Sequence, residues 1–355
     1  SKGKAIMMPA DRLAANAAAQ KAVSLAETVS QRERDLILAQ ANRYNGDPET
    51  EREPLDMAYA KAMQELAQKY PEDDDIQAMY AEAMMNTMPW DYWLDAENPK
   101  PGTAKVIAAL ETVMERNRQH PLSLHLYIHA VEASSNPGRA EDAADLLGPL
   151  VPGSGHLVHM PSHIYWRIGR YHDASEANVL AAKVDEDYIA QCNAQGFYPA
   201  LYYPHNIHFL WASATMEGRS QVAIEAGEKV AANIRLEQIK EYPTVEFFQT
   251  IPLQSLVRFA RWEEILASPQ PPGDLPYSKA IWHYARSIAL ARTGDLEAAA
   301  SEIEAMQPLM ANDSIWFLDG NDYPASQILA IADNLARGEL ALAGKDYDAA
   351  VTAFR

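Results

Sequence analysis

Seven of the ten histidines of this 355-residue chain form three clusters between Leu124 and Met216. They read His125-Leu-Tyr-Ile-His129-Ala-Val-Glu132, His156-Leu-Val-His159-Met-Pro-Ser-His163 and His205-Asn-Ile-His208. Imidazole is a borderline-soft nitrogen donor suited to copper, zinc, iron and nickel, and two histidines one helical turn apart make a bidentate clamp. A mononuclear site takes three or four protein ligands, so seven candidates imply two metals, or one metal surrounded by further histidines. The histidine count puts copper or zinc ahead of iron. Iron stays open because Glu132 could complete a facial triad with two imidazoles. Glu132 is also the candidate catalytic residue, as the proton acceptor beside a metal-bound water or a metal that activates dioxygen. Met160 could serve as a soft ligand, although a thioether at helical spacing more simply packs a core.

Side chains this far apart in sequence need elements that bring them together. Each cluster is followed by a turn of one type: Gly138-Arg-Ala-Glu-Asp-Ala143, Gly169-Arg-Tyr-His-Asp-Ala174 and Gly218-Arg-Ser-Gln-Val-Ala223. With the turn glycine called position 15, the histidines fall at positions 2, 5 or 6, and 9, and the following alanines at position 20. Spacings of three and four put such side chains on one stripe of a helix. Neighbouring helices pack at roughly 8 to 10 Å, so stripes on successive helices can converge. Pro161 is the weak point of the register, because it removes a backbone donor. The helix carrying His163 is therefore expected to start or kink near Met160, which would leave His156 and His159 on the entering loop.

The rest of the chain is of one kind. Apolar residues make up 48% of it, Ala, Glu and Leu dominate, and alternating runs of Val, Ile and Thr are scarce, so an all-α fold is expected. Residues 1–54 read as N-terminal helices, with Ser30 and Glu33 as a capping box. Residues 55–121 read as degenerate helical repeats around an aromatic and acidic loop, 89–103, containing Trp90-Asp-Tyr-Trp-Leu-Asp-Ala-Glu97. Residues 122–245 hold the histidine repeats, with an insertion at 187–204 that carries Cys192, Phe197, Tyr198, Tyr202 and Tyr203. Residues 246–355 continue the pattern through turns at Ala260-Arg-Trp262, Gly294 and Gly344, the last repeat being cut short.

With those residues in view, the chain resembles the tetratricopeptide-repeat superfamily, and within it a group of bacterial repeat proteins of unassigned function. The resemblance rests on Tyr80-Ala-Glu-Ala-Met84, Pro89-Trp-Asp-Tyr-Trp93, His125-Leu-Tyr-Ile-His-Ala-Val-Glu-Ala-Ser134, Gly155-His-Leu-Val-His-Met-Pro-Ser-His-Ile-Tyr165 and His205-Asn-Ile-His-Phe-Leu210, and it covers about Leu55 to the C-terminus. It implies a single α-solenoid over 1–355, a right-handed superhelix of stacked helix pairs whose first helices line a concave groove. It implies no activity. The start at Ser1 and the helical pattern running into Arg355 lead us to expect a piece of a longer chain.

Composition narrows the partners. A formal charge of -19 disfavours a nucleic-acid backbone or an anionic membrane. No apolar run reaches the roughly 18 residues of a membrane span. One cysteine excludes an internal disulfide framework. A cytoplasmic location is expected, with periplasm or secretion left open by the start at Ser1. No Gly-x-Ser-x-Gly, phosphate-binding or dinucleotide-binding glycine pattern competes. His120, His172 and His283 read as a helix-end cation, a turn residue and a packed neighbour of Trp282. Asp91, Asp95 and Glu97 read as solvated loop acids, and the recurring Arg139, Arg170 and Arg219 as structural turn residues. Two functions from different classes follow. One is a protein holding one or two transition-metal ions through His125, His129, His156, His159, His163, His205 and His208, with hydrolytic or oxygen-activating chemistry as the further step and a small molecule or peptide in the groove. The other is a non-catalytic scaffold that holds a peptide or protein partner there.

Overall fold

A computed structural model of the chain describes residues 9–192, 198–321 and 323–355. Among the described residues the protein is all-helical apart from one small hairpin. In chain order the helices are α1 (Pro9–Leu25), α2 (Gln31–Ala41), α3 (Arg52–Lys69), α4 (Asp74–Asn86), α5 (Pro101–Arg116), α6 (Pro121–Val131), α7 (Glu141–Leu150), α8 (Gly155–His159), α9 (Pro161–Arg167) and α10 (Tyr171–Cys192). Then come α11 (Tyr203–Glu217), α12 (Ser220–Ala232), α13 (Leu236–Glu241), α14 (Ile251–Arg258), α15 (Trp262–Ala267), α16 (Pro276–Thr293), α17 (Leu296–Met310), α18 (Asp313–Gly320), α19 (Ala325–Ala343) and α20 (Tyr347–Phe354). The chain divides into two compact units. The first is Ser1–Gly153 with Met160–Arg170, and the second is Ser154–His159 with Tyr171–Arg355.

In the first unit each of α3 to α6 packs on its successor, α6 on α7, and α7 on α9. Leu110 and Val113 of α5, Leu124, Ile128 and Val131 of α6, Leu147 of α7 and Ile164 of α9 lose nearly all solvent contact. Helix α6 is apolar around most of its circumference, as a helix flanked on several sides must be. It starts at Pro121, whose missing N–H costs nothing in a first turn. The Ser123 N–H donates to His120 Nδ1 at 3.2 Å, so His120 is a neutral-nitrogen cap on the N-terminus of α6, in place of the expected helix-end cation. In the second unit α10 packs on α8 and α11, and α11, α12, α14, α16, α17 and α19 follow in sequence.

One turn recurs. Gly169, Gly218 and Gly294 have φ of +83°, +77° and +95°, the left-handed conformation that ends a helix without a Cβ clash. In each, the next residue's N–H reaches back to the fifth carbonyl before it: Arg170 to Tyr165, Arg219 to Ala214 and Asp295 to Leu290. Arg261 to Leu256 and Asp346 to Ala341 make the same bond. There the left-handed residue is Ala260 (φ +56°) or Lys345 (φ +63°), so the last turn sits one residue beyond the expected Gly344. Gly138 differs, lying in a 3-10 turn over Pro137–Ala140.

Three expectations are refined. The loop 89–103 contains an antiparallel hairpin, β1 (Trp93–Asp95) with β2 (Asn98–Pro99), and α5 begins at Pro101 rather than Ala104. The first part of the 187–204 insertion continues α10 to Cys192, and a π-helical turn, Tyr198–Tyr202, leads into α11. The helix break at Pro161 is present, with α9 starting there, and His156 and His159 lie on the short separate helix α8 rather than on a loop. Residues 1–8 of the expected N-terminal helix and Phe197 of the insertion lie outside the described residues.

Candidate metal centre

In the first unit, α6 supplies His125, His129 and the capping residue Glu132, and α9 supplies His163. Helices α6 and α9 pack together, and Arg167 at the end of α9 donates to the Ser134 carbonyl just past α6. Glu132 is therefore placed between two imidazoles. His129 Nδ1 lies 2.9 Å from its Oε1 and His163 Nδ1 2.6 Å from its Oε2. The ligand atoms of His129, Glu132 and His163 all fall within 4.8 Å of one another. The His125 ring meets His129 edge-on at 4.9 Å, and the His129 and His163 rings are 5.3 Å apart.

Burial sets the electrostatics. Desolvation pushes the Glu132 carboxyl up, but the charge of His163 and hydrogen bonds from both rings outweigh it, holding the carboxyl well below the usual range. His129 is 7% exposed, and its burial lowers its pKa despite the hydrogen bond to Glu132. The pocket thus pairs an ionised carboxylate with an imidazole kept neutral, the protonation states in which these groups bind metal.

The hairpin covers this site from one side. Trp93 Nε1 donates to the Ala130 carbonyl at 2.8 Å, and the Ser135 N–H donates to the Ala96 carbonyl at 2.8 Å, so the loop is pinned at both ends of the Ala130–Ser135 segment. Between these pins and α4, Trp90 adopts φ +58°, is 58% exposed, and sets its ring edge-on to His129 at 4.8 Å. A left-handed backbone and an exposed indole both cost stability, and such strain gathers where a side chain is held for use. Asp95 is tied into the hairpin by Asn98, and Asp91 pairs with Lys100, which fits their expected role as loop acids.

In the second unit, α8 brings His156 and His159 and α11 brings His205 and His208. The His159 and His205 rings lie 4.8 Å apart and the His156 and His159 rings 6.2 Å apart. His159 has no solvent exposure, and its Nδ1 sits 2.6 Å from Asn178 Oδ1 of α10. His208 stands away from this group. Its ring stacks on Trp211 at 5.1 Å and meets Phe247 and Phe248 edge-on, and burial among these rings pushes its pKa down to about 4.

Two residues that matter here carry no motif, Asn178 and Asp185. Ala174, Asn178, Ala181, Ala182 and Asp185 are all buried and recur at helical spacing along α10. Two polar residues within an apolar stripe were the available signal. Asp185 accepts from Tyr198 at 2.6 Å and from Asn206 at 2.7 Å, and burial raises its pKa. It also abuts the start of α8. A Cβ on Gly155 would come within 1.8 Å of Asp185 Oδ1, so only glycine fits there.

The recurring arginines are structural. Arg139 lies over Tyr127, whose hydroxyl donates to Glu111, and Arg139 donates to both groups. Arg170 repeats this with Tyr165 and Asp145. His283 pairs with Glu302, which Arg286 also holds.

Tetrahedral ligands at about 2.0 to 2.1 Å from zinc lie roughly 3.3 Å apart, and the ligand atoms of His129, Glu132 and His163 all lie within 4.8 Å of one another. Over the described residues these features define a helical protein with a partly buried histidine and carboxylate cluster. No protein-family model and no curated protein matches the chain.

Proposed function

We propose that this protein is a tetratricopeptide-type repeat protein that binds one or two transition-metal ions through its clustered histidines. His125, His129 and His163, with Glu132, form one ligand group, and His156, His159 and His205 form the other. The observation that carries this reading is the contact of buried His129 with half-buried Glu132 and His163, whose ligand atoms lie within 4.8 Å of one another. His208, enclosed by aromatic rings, we assign to packing.

Imidazole-dominated groups favour copper or zinc, and iron is accommodated if Glu132 itself ligates. A metal held by three histidines keeps a coordination position for water or substrate and lowers the pKa of a bound water toward neutrality. The protein's own residues would then orient the ligand rings, exclude bulk water through the Trp90 hairpin, and offer Glu132 as a proton acceptor. On this reading the protein has the parts of a hydrolytic or oxygen-activating metalloenzyme.

The test is elemental analysis of protein purified without a histidine tag, with calorimetric titration of zinc and copper into metal-free protein. One or two equivalents bound, and loss of at least one with His129→Gln or His163→Gln, are expected. Absence of stoichiometric metal together with no saturable binding would leave the scaffold reading, in which the histidines form only a hydrogen-bonded network.

A further inference from the structure

Three of the clustered histidines are held from behind by the same ring nitrogen, although the holding residues differ. His129 Nδ1 and His163 Nδ1 each face one oxygen of Glu132, at 2.9 and 2.6 Å. His159 Nδ1 faces Asn178 Oδ1 at 2.6 Å. One carboxylate oxygen faces each ring, and carboxylate oxygens accept, so both rings donate to Glu132 through Nδ1–H. The orientation of Asn178 is set independently, because its amide nitrogen donates to the Ala174 carbonyl at 2.7 Å and its oxygen is therefore the atom facing His159. His159, too, carries its proton on Nδ1. With Nδ1–H facing its acceptor, Nε2 is the nitrogen that can ligate, through its lone pair in a neutral ring or on loss of its proton from a charged one.

We propose that His129, His163 and His159 bind metal through Nε2, and that Glu132 and Asn178 are positioning residues that hold the rings by Nδ1. This rests on the metal-binding reading above and sharpens it, since it moves Glu132 from the ligand set to the layer behind it. Hydrogen bonding at the far nitrogen fixes ring orientation and strengthens the donor nitrogen. A carboxylate does so more than an amide. The Glu132-backed pair is therefore the tighter group, and the Asn178-backed ring the weaker.

Two other histidines serve as internal controls. The Nδ1 of His120 accepts from the Ser123 N–H, and its Nε2 faces Asp75 Oδ1 at 3.2 Å, which requires the opposite tautomer. His283 faces Glu302 through Nδ1 at 2.6 Å, but its neighbours are Trp282 and, through Glu302, Arg286. It should carry Nδ1–H and ignore metal.

The experiment is long-range proton–nitrogen correlation NMR of the imidazole rings in the full chain labelled with nitrogen-15 histidine, first metal-free and then with zinc. Rings are assigned by single His→Gln substitutions. In metal-free protein His129, His163 and His159 are expected to carry a proton on Nδ1, and His120 to carry its proton on Nε2. Zinc is expected to shift Nε2 of the first three and leave Nδ1 protonated. Glu132→Gln, whose amide cannot accept from both rings, is expected to change the tautomer of one of them and weaken zinc binding about 10- to 100-fold. Asn178→Leu is expected to release the His159 tautomer alone.

Nε2–H tautomers at His129 and His163 in the metal-free wild type, or a zinc-induced shift at Nδ1, would overturn the proposal without reference to any variant. Complete loss of zinc binding in Glu132→Gln with ring tautomers unchanged would overturn it by making Glu132 a ligand. Nδ1–H rings that do not respond to zinc would overturn Nε2 ligation by removing the metal itself, with the hydrogen-bond pattern intact, so that failure of the metal reading has its own signature.

Discussion

Glu132 is a half-buried carboxylate held in its charged form by two imidazoles. Its depressed pKa means that the stability it contributes is complete above the ordinary glutamate range and declines only as pH falls toward the depressed value. His208 works in the other direction of charge. Its folded pKa of about 4 lies below the ordinary 6.5, so between those values the unfolded chain binds the extra proton. Stability is therefore lost as pH falls from about 6.5 toward 4, by up to about 3 kcal/mol for a shift of this size. His208→Phe, which keeps an aromatic ring against Trp211 and Phe248, should remove that part of the pH dependence. Denaturant titrations of both proteins at pH 7 and pH 5 provide the check, and an unchanged difference between the two pH values would refute it.

At the scale of elements, short helices carry the histidines and single residues decide where those helices lie. Helix α8 is one and a half turns long and sits against Asp185 only because Gly155 has no Cβ. Gly155→Ala should shift α8 or displace Asp185 at a cost of about 1 to 3 kcal/mol. The loss should be larger than for Gly153→Ala, where nothing lies within 4 Å of an added Cβ. Chemical denaturation of the two variants compares them directly. The repeated turn makes a second prediction. Lys345 and Ala260 occupy left-handed positions that glycine fills at Gly218 and Gly294. Lys345→Gly and Ala260→Gly should be neutral or stabilising by up to about 1 kcal/mol, whereas Gly218→Ala should destabilise by about as much. Opposite signs in thermal melts would mean that the turns are not equivalent.

For the whole molecule, a ligand that binds only the folded state stabilises it by mass action. Zinc or copper at about 100 times its dissociation constant should add roughly 2.7 kcal/mol to the structure that holds it. Melting temperature should then rise with metal and fall back with chelator, and His129→Gln with His163→Gln should abolish the response in the first unit. A melt indifferent to metal and chelator would count against binding to the folded chain. The net charge of -19 adds an attraction for cations that salt screens. The specific shift should persist at about 0.5 M salt, and a non-specific one should not.

Much of this was legible before any coordinates, because helices follow from local rules. The 3.6-residue period, the Ser30 capping box, the turn glycines and the break at Pro161 depend on residues within a few positions of each other. So does the sharing of one helix by His125, His129 and Glu132. The pairing of Glu132 with His163 does not, since it spans 31 residues and exists only where α6 and α9 pack. Asn178 behind His159, Asp185 against Gly155 and the pinning of Trp90 beside His129 are likewise decided by tertiary contacts. His208 makes the contrast clearest. Its spacing from His205 matches that of His156 and His159, yet packing encloses it among Trp211, Phe247 and Phe248. Sequence spacing determines which side chains share a stripe. Which stripe meets a partner, and which ring nitrogen faces a backing acceptor, is determined by how the helices pack.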